Sequence, residues 1–72
     1  MELFDFWIRI QYITEDEAKK LWLRHRSNTI HCTVFPDKTF IYGIATDKAI
    51  CAIVDDIKGL NKDYGLTRQN YK

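Results

Sequence analysis

Residues 3–13 read L-F-D-F-W-I-R-I-Q-Y-I, and the alternation in this stretch decides the fold. Successive side chains of an extended chain point to opposite faces, so Phe4, Phe6, Ile8, Ile10 and Tyr12 fall on one side. Asp5, Trp7, Arg9 and Gln11 fall on the other. The first set is apolar throughout and predicts a half-buried strand. A sheet with one such face must be covered by another layer, and the rest of the chain is read for what can cover it.

The next segment supplies a helix. Thr14 and Glu17 have capping-box spacing, and Glu15, Asp16 and Glu17 precede Lys19, Lys20, Arg24 and Arg26, which matches the helix dipole at both ends. This predicts a helix over 15–26, ended by Ser27 and Asn28. Ala18, Leu21, Trp22 and His25 recur at i, i+3, i+4 and i+7 as its inward stripe, with Leu23 outside it. Residues 29–35 and 39–45 are rich in β-branched and aromatic side chains and flank Pro36-Asp37-Lys38, the pattern of a hairpin. A loop symmetric about Asp37 and Lys38 sets Phe35 opposite Phe40 and Thr33 opposite Tyr42. His31, Thr33, Phe35, Phe40, Tyr42 and Ile44 then share one face, while Ile30, Cys32, Val34 and Ile41 belong to the core.

Thr46 can cap a second helix over 47–58, in which Ile50, Ile53, Ile57 and Leu60 recur at helical spacing and Gly59 supplies a terminating residue. The alternative is a third strand over 49–54, because Asp55 and Asp56 sit badly near a helix C-terminus. Residues 61–72 form either an edge strand around Leu66 to Gln69 or a mobile tail. Together, residues 1–72 read as a single α+β domain of order β-α-β-β-α with a possible final β. This order resembles the ferredoxin-like split βαβ arrangement, an antiparallel sheet with two helices on one face. The resemblance implies that the first and third strands are central neighbours, with Trp7 and Arg9 beside Phe40 and Tyr42, and His31 and Phe35 on the next strand.

Composition sets the outer limits. The chain has 72 residues, 46% hydrophobic and 29% charged, with three Gly and one Pro, enough for one core and too few breakers for disorder. Its net charge of +1 removes the broad electrostatic case for a dedicated nucleic-acid binder or for an acidic DNA mimic. Cys32 and Cys51 form no CxxC pair and are too few for a disulfide scaffold, so both are expected as reduced, buried residues of a cytoplasmic protein. No apolar run reaches the roughly 20 residues that span a bilayer, and Glu2 and Asp5 argue against a signal peptide, so neither membrane insertion nor export is expected.

HExxH, GxSxG, P-loop and GxGxxG patterns are all missing from the sequence. Asp55 and Asp56 would diverge by about 100° on a helix and so form no dyad. His31 and Cys32 point to opposite sides of a strand and share no metal. The expectation is a non-enzymatic protein with no cofactor and no metal.

What remains is a sheet face that holds Trp7, Arg9, His31, Phe35, Phe40 and Tyr42 where polar residues would be ordinary. Aromatic residues with Arg anchor interfaces, which predicts a small binding module that docks on a protein partner or associates with itself. A compact module of this kind suits a phage or mobile-element inhibitor of a host enzyme or defence complex. The alternative is a single-stranded nucleic-acid binder. Phe40-Ile41-Tyr42 on the third strand, with an aromatic on the first, resembles the base-stacking positions of RNA recognition motifs. Where that family carries a basic residue and glycine before the first aromatic, Lys38-Thr39 stand here, and Gly43 follows the second aromatic. A small enzyme or toxin is a third reading. Lys19, Lys20, Arg24 and Arg26 make a secondary basic face on the first helix, suited to phosphates or an acidic protein, or simply solvated.

Overall fold

In the computed structural model, which describes residues 1–71, the chain runs β1 (Leu3–Gln11), α1 (Glu15–His25), β2 (Ile30–Val34), β3 (Lys38–Thr46), α2 (Asp47–Gly59) and β4 (Tyr64–Asn70). The strands form one antiparallel sheet in the order β2-β3-β1-β4, with both helices on one side, the ferredoxin-like arrangement. Between the layers lie Phe6, Ile8 and Ile10 of β1, Ile41 and Ala45 of β3 and Ile30 of β2. Ala18 and Leu21 of α1 and Ile50, Ile53, Val54 and Ile57 of α2 cover them. Each isoleucine buried in this layer contributes about 1.5–3 kcal/mol relative to exposure, so the helix stripes and the β1 alternation jointly hold the fold.

Both helix starts are built as their sequences require. Glu17 N–H donates to Thr14 Oγ1 (3.1 Å), and Thr14 N–H donates back to Glu17 Oε1 (3.0 Å), which lowers the Glu17 carboxyl below its ordinary range. At the second, Ala49 N–H donates to Thr46 Oγ1 (3.2 Å). Residues 49–54 therefore lie within a helix, and the alternative third strand there is overturned. β1 stops at Gln11 because Tyr12 takes φ 56°, which turns its side chain out of the predicted core face into water. Gly59 is the last helical residue; Asn61, at φ 60°, is the left-handed one that ends the turn.

Three further expectations are corrected. The hairpin pairs Thr33 with Phe40 and His31 with Tyr42, two residues away from the symmetric register. The turn closes when Phe35 N–H donates to the Lys38 carbonyl (2.8 Å), so Pro36 and Asp37 are its central pair. Because the displacement is even, every side chain keeps its predicted face. Val34 lies on the core side yet stays exposed: it is the last residue of the edge strand β2 and lines an open hollow with Glu15, Lys19 and Trp22 of α1 rather than a closed core. Cys51 is exposed on α2, whereas Cys32 is half-buried and its thiol pKa is raised by that burial; neither forms a disulfide.

Residues 64–70, the open question of the sequence, form an edge strand longer than predicted. It pairs with β1 from Tyr64↔Ile10 to Asn70↔Phe4. Gly43 (φ 145°) permits the close approach of the backbone just before β2, because a Cβ there would lie 1.9 Å from the Thr29 carbonyl oxygen. Among the described residues no helix is long and apolar enough to cross a membrane.

Candidate functional site

The sheet face away from the helices is organised by strand register. Residues directly opposite one another in an antiparallel sheet share a face and stand about 5 Å apart, so the pairings line up rows across the strands. One row runs His31–Tyr42–Trp7–Thr67, the next Thr33–Phe40–Arg9–Gly65, and a third includes Ile44, Asp5 and Gln69. Phe35 follows β2 and turns its ring edge-on to Phe40, with centroids 5.9 Å apart. All six predicted residues, Trp7, Arg9, His31, Phe35, Phe40 and Tyr42, are thus brought together.

The side chains within the patch hold one another. His31 and Tyr42 rings lie 5.6 Å apart, and the Tyr42 hydroxyl is 3.3 Å from Thr33 Oγ1. Lys38 Nζ sits 5.8 Å from the Phe35 ring centroid and 3.8 Å from Asp37 Oδ1. Trp7, Phe35 and Tyr42 remain 46%, 45% and 39% exposed. They line an open concavity of about 600 Å³ with Asp5, Thr33, Phe40 and Gln69. A smaller hollow continues past Trp7 and Arg9, where Gly65 leaves the floor without a side chain. Arg9 makes no ion pair among the described residues, so a free cation stands at one end of the patch and the Asp5 carboxylate at the other.

Gly65, Thr67 and Gln69 belong to this face but were not read from the sequence. Their i, i+2 spacing is the only signal they carry, and it requires knowing that 64–70 is a strand.

The predicted basic face divides into two sides. Lys20 and Arg24 face α2 and line a hollow with Glu17, Asp56 and Leu60, whereas Lys19 faces β2 beside Trp22, Cys32 and Val34. Arg26 stands beyond the end of the helix as its C-cap. Arg24 is held by Asp56 Oδ1 (3.3 Å), and His25 Nε2 meets Asp56 Oδ2 at 2.5 Å. The hydrogen bond from His25 lowers the Asp56 carboxyl below its ordinary range; partial burial opposes this, and Arg24 adds to it. This clasp between the helices is the one acid–histidine pair among the described residues, and it lies on the other side of the sheet from His31. Its hollow is lined by Glu17, Lys20, Leu21, Arg24, Asp56 and Leu60, with no Ser, Thr or Cys among them.

Among the described residues no group of three His, Cys, Asp or Glu side chains is arranged to hold a metal. No protein-family model matches the sequence, and comparison with curated proteins finds no match.

Proposed function

We propose that this protein is a non-enzymatic binding module that uses the open sheet face to dock on a protein partner. The observation that carries this reading is the concentration of Trp7, Phe35 and Tyr42, each exposed, around one concavity on a face that no element covers among the described residues. Desolvating large aromatics supplies the energy of a contact, and a central Trp or Tyr is the residue type that dominates such contacts. The charge layout fits a partner with apolar side chains for the concavity, a carboxylate for Arg9 and a cation for Asp5. A rigid face of this size acts by occlusion, which is the mode of an inhibitor of a larger enzyme or complex.

The test is affinity capture with the intact protein and with Trp7→Ala and Tyr42→Ala side by side, followed by titration of the captured protein in purified form. Trp7→Ala should weaken binding by about 2 kcal/mol, roughly thirtyfold, without unfolding the domain. Equal affinity of both variants and the parent would refute the reading.

A second reading is favoured by the row His31–Tyr42–Trp7 with Arg9 beside it, since rings on central strands can stack single-stranded bases. It predicts salt-dependent binding of short single strands that Trp7→Ala weakens. Absence of binding at low salt eliminates it.

A further inference from the structure

β4 is uncovered in a way no other strand is. Its residues from Gly65 to Asn70 are all exposed, and neither helix packs on it as α2 packs on β1 and β3. On one side it pairs with β1, and the flanking bonds show which residues do so: Gln11 N–H donates to the Asp63 carbonyl and Tyr71 N–H to the Leu3 carbonyl. In an antiparallel ladder bonded pairs alternate, so Gly65, Thr67 and Gln69 bond inward. Tyr64, Leu66, Arg68 and Asn70 then direct their backbone N–H and C=O groups to the free edge.

The devices that normally blunt such an edge are missing. β4 contains no proline, and its one charged side chain, Arg68, is drawn back onto Asp47 and over the Phe4 ring at 5.2 Å. The opposite edge is defended. In β2 only Ile30, Cys32 and Val34 face outward, the Ile30 N–H is already bound to the Ser27 carbonyl (3.4 Å), and Pro36 follows.

We propose that β4 pairs with β4 of a second copy of this chain, antiparallel about a two-fold axis at Thr67, to make one continuous sheet. The register follows from the strand itself. With Thr67 opposite Thr67 of the second copy, Tyr64 meets Asn70 and Leu66 meets Arg68, all outward-bonding residues, which forms about eight backbone hydrogen bonds. A shift that set Arg68 against Arg68 would oppose like charges; this one does not. Leu66, 38% exposed in the single chain, comes diagonally against its symmetry mate, and the two Thr67 side chains form a cross-strand pair on the open face.

Thr67 also lies in the His31–Tyr42–Trp7 row. The two-fold therefore joins both aromatic patches into one row, with the Trp7 positions about 14 Å apart across three strand spacings. The pairing does not depend on what the open face binds.

The experiment measures mass in solution by sedimentation equilibrium over roughly a hundredfold range of protein concentration, with cross-linking to report the register. The parent chain should show a concentration-dependent dimer, and Leu66→Lys should weaken it about tenfold or more by placing two ammonium groups near the axis. In a Cys32→Ser, Cys51→Ser background, Thr67→Cys should give a covalent dimer on mild oxidation, since facing non-bonded positions lie within disulfide reach, while Gly65→Cys should not. A protein that stays monomeric throughout, or a dimer that survives Leu66→Lys, overturns the proposal. So does a dimer dissociated by Trp7→Ala, which would place the contact on the open face.

Discussion

Phe6 and Trp7 are adjacent in β1, yet one is 2% exposed and the other 46%, and the same contrast separates the two faces of the whole sheet. Toward the helices the strands present Phe6, isoleucines and alanine, with Phe4, Cys32 and Tyr64 packed against them; away from them they present Trp7, Phe40, Tyr42, His31 and Thr33. Aliphatic side chains interlock between two layers at crystal-like density and have no polar atoms to satisfy. Indole, phenol and imidazole rings combine a wide apolar surface with a polar tip, which suits a face that is wet until something covers it. The difference teaches that the open face is not leftover core. Its exposed aromatic side chains touch one another rather than any covering element among the described residues.

Five substitutions break or sharpen this contrast. Phe6→Ala should cost about 3–5 kcal/mol, enough to unfold most of a domain this small, whereas Trp7→Ala one residue away should cost about 1 kcal/mol or less. Chemical denaturation of both variants checks the pair, and similar losses would mean that the two faces are equally buried. Gly43→Ala should cost about 2 kcal/mol or more, because the new methyl meets the Thr29 carbonyl at a backbone angle that disfavours side chains. A thermal midpoint equal to that of the parent would show that β2 and β3 approach less closely than described.

Thr39 is the polar exception on the covered side: fully buried, with a hydroxyl that finds no hydrogen-bond partner among the described residues. Thr39→Val keeps the shape and removes that group, so it should stabilise the fold by about 1 kcal/mol. A loss of stability would reveal a partner for the hydroxyl. The smallest effect concerns the helix clasp. Because the Asp56 carboxyl is lowered in the folded state, its contribution is present at neutral pH and is lost as pH falls below the ordinary aspartate range of about 4. Asp56→Asn should flatten the fall in thermal midpoint between roughly pH 5 and pH 3; an unchanged slope would assign acid sensitivity to other groups.

Much of this was legible because two periodicities were strong. Alternation from Phe4 to Ile10 and the repeat Ile50, Ile53, Ile57 named the core, and the Thr14 and Thr46 caps marked the helix starts within a residue. The misses have local causes. Tyr12 continues the alternation in sequence but leaves it by adopting positive φ, which a tyrosine does not advertise. The turn was centred one residue too late, which displaces the strand pairing by two, because Lys38 pairs instead of looping. β4 shows little apolar alternation because it is exposed on both faces, so the pattern that reveals a half-buried strand is absent by construction. The His25–Asp56 bond joins residues 31 positions apart, a distance over which spacing carries no information.

The even displacement of the hairpin has a consequence for how this surface can vary. Sliding β2 along β3 in steps of two re-cuts the rows, so a different residue faces Tyr42 while Ile30 and Cys32 stay under the helices. A slide of one residue would invert the strand, wetting Ile30 and driving His31 and Thr33 beneath α1. Parity thus decides which side chains are covered, while the Thr29 carbonyl, set against Gly43 and bonded to the Ile44 N–H, holds β2 to the one row it occupies.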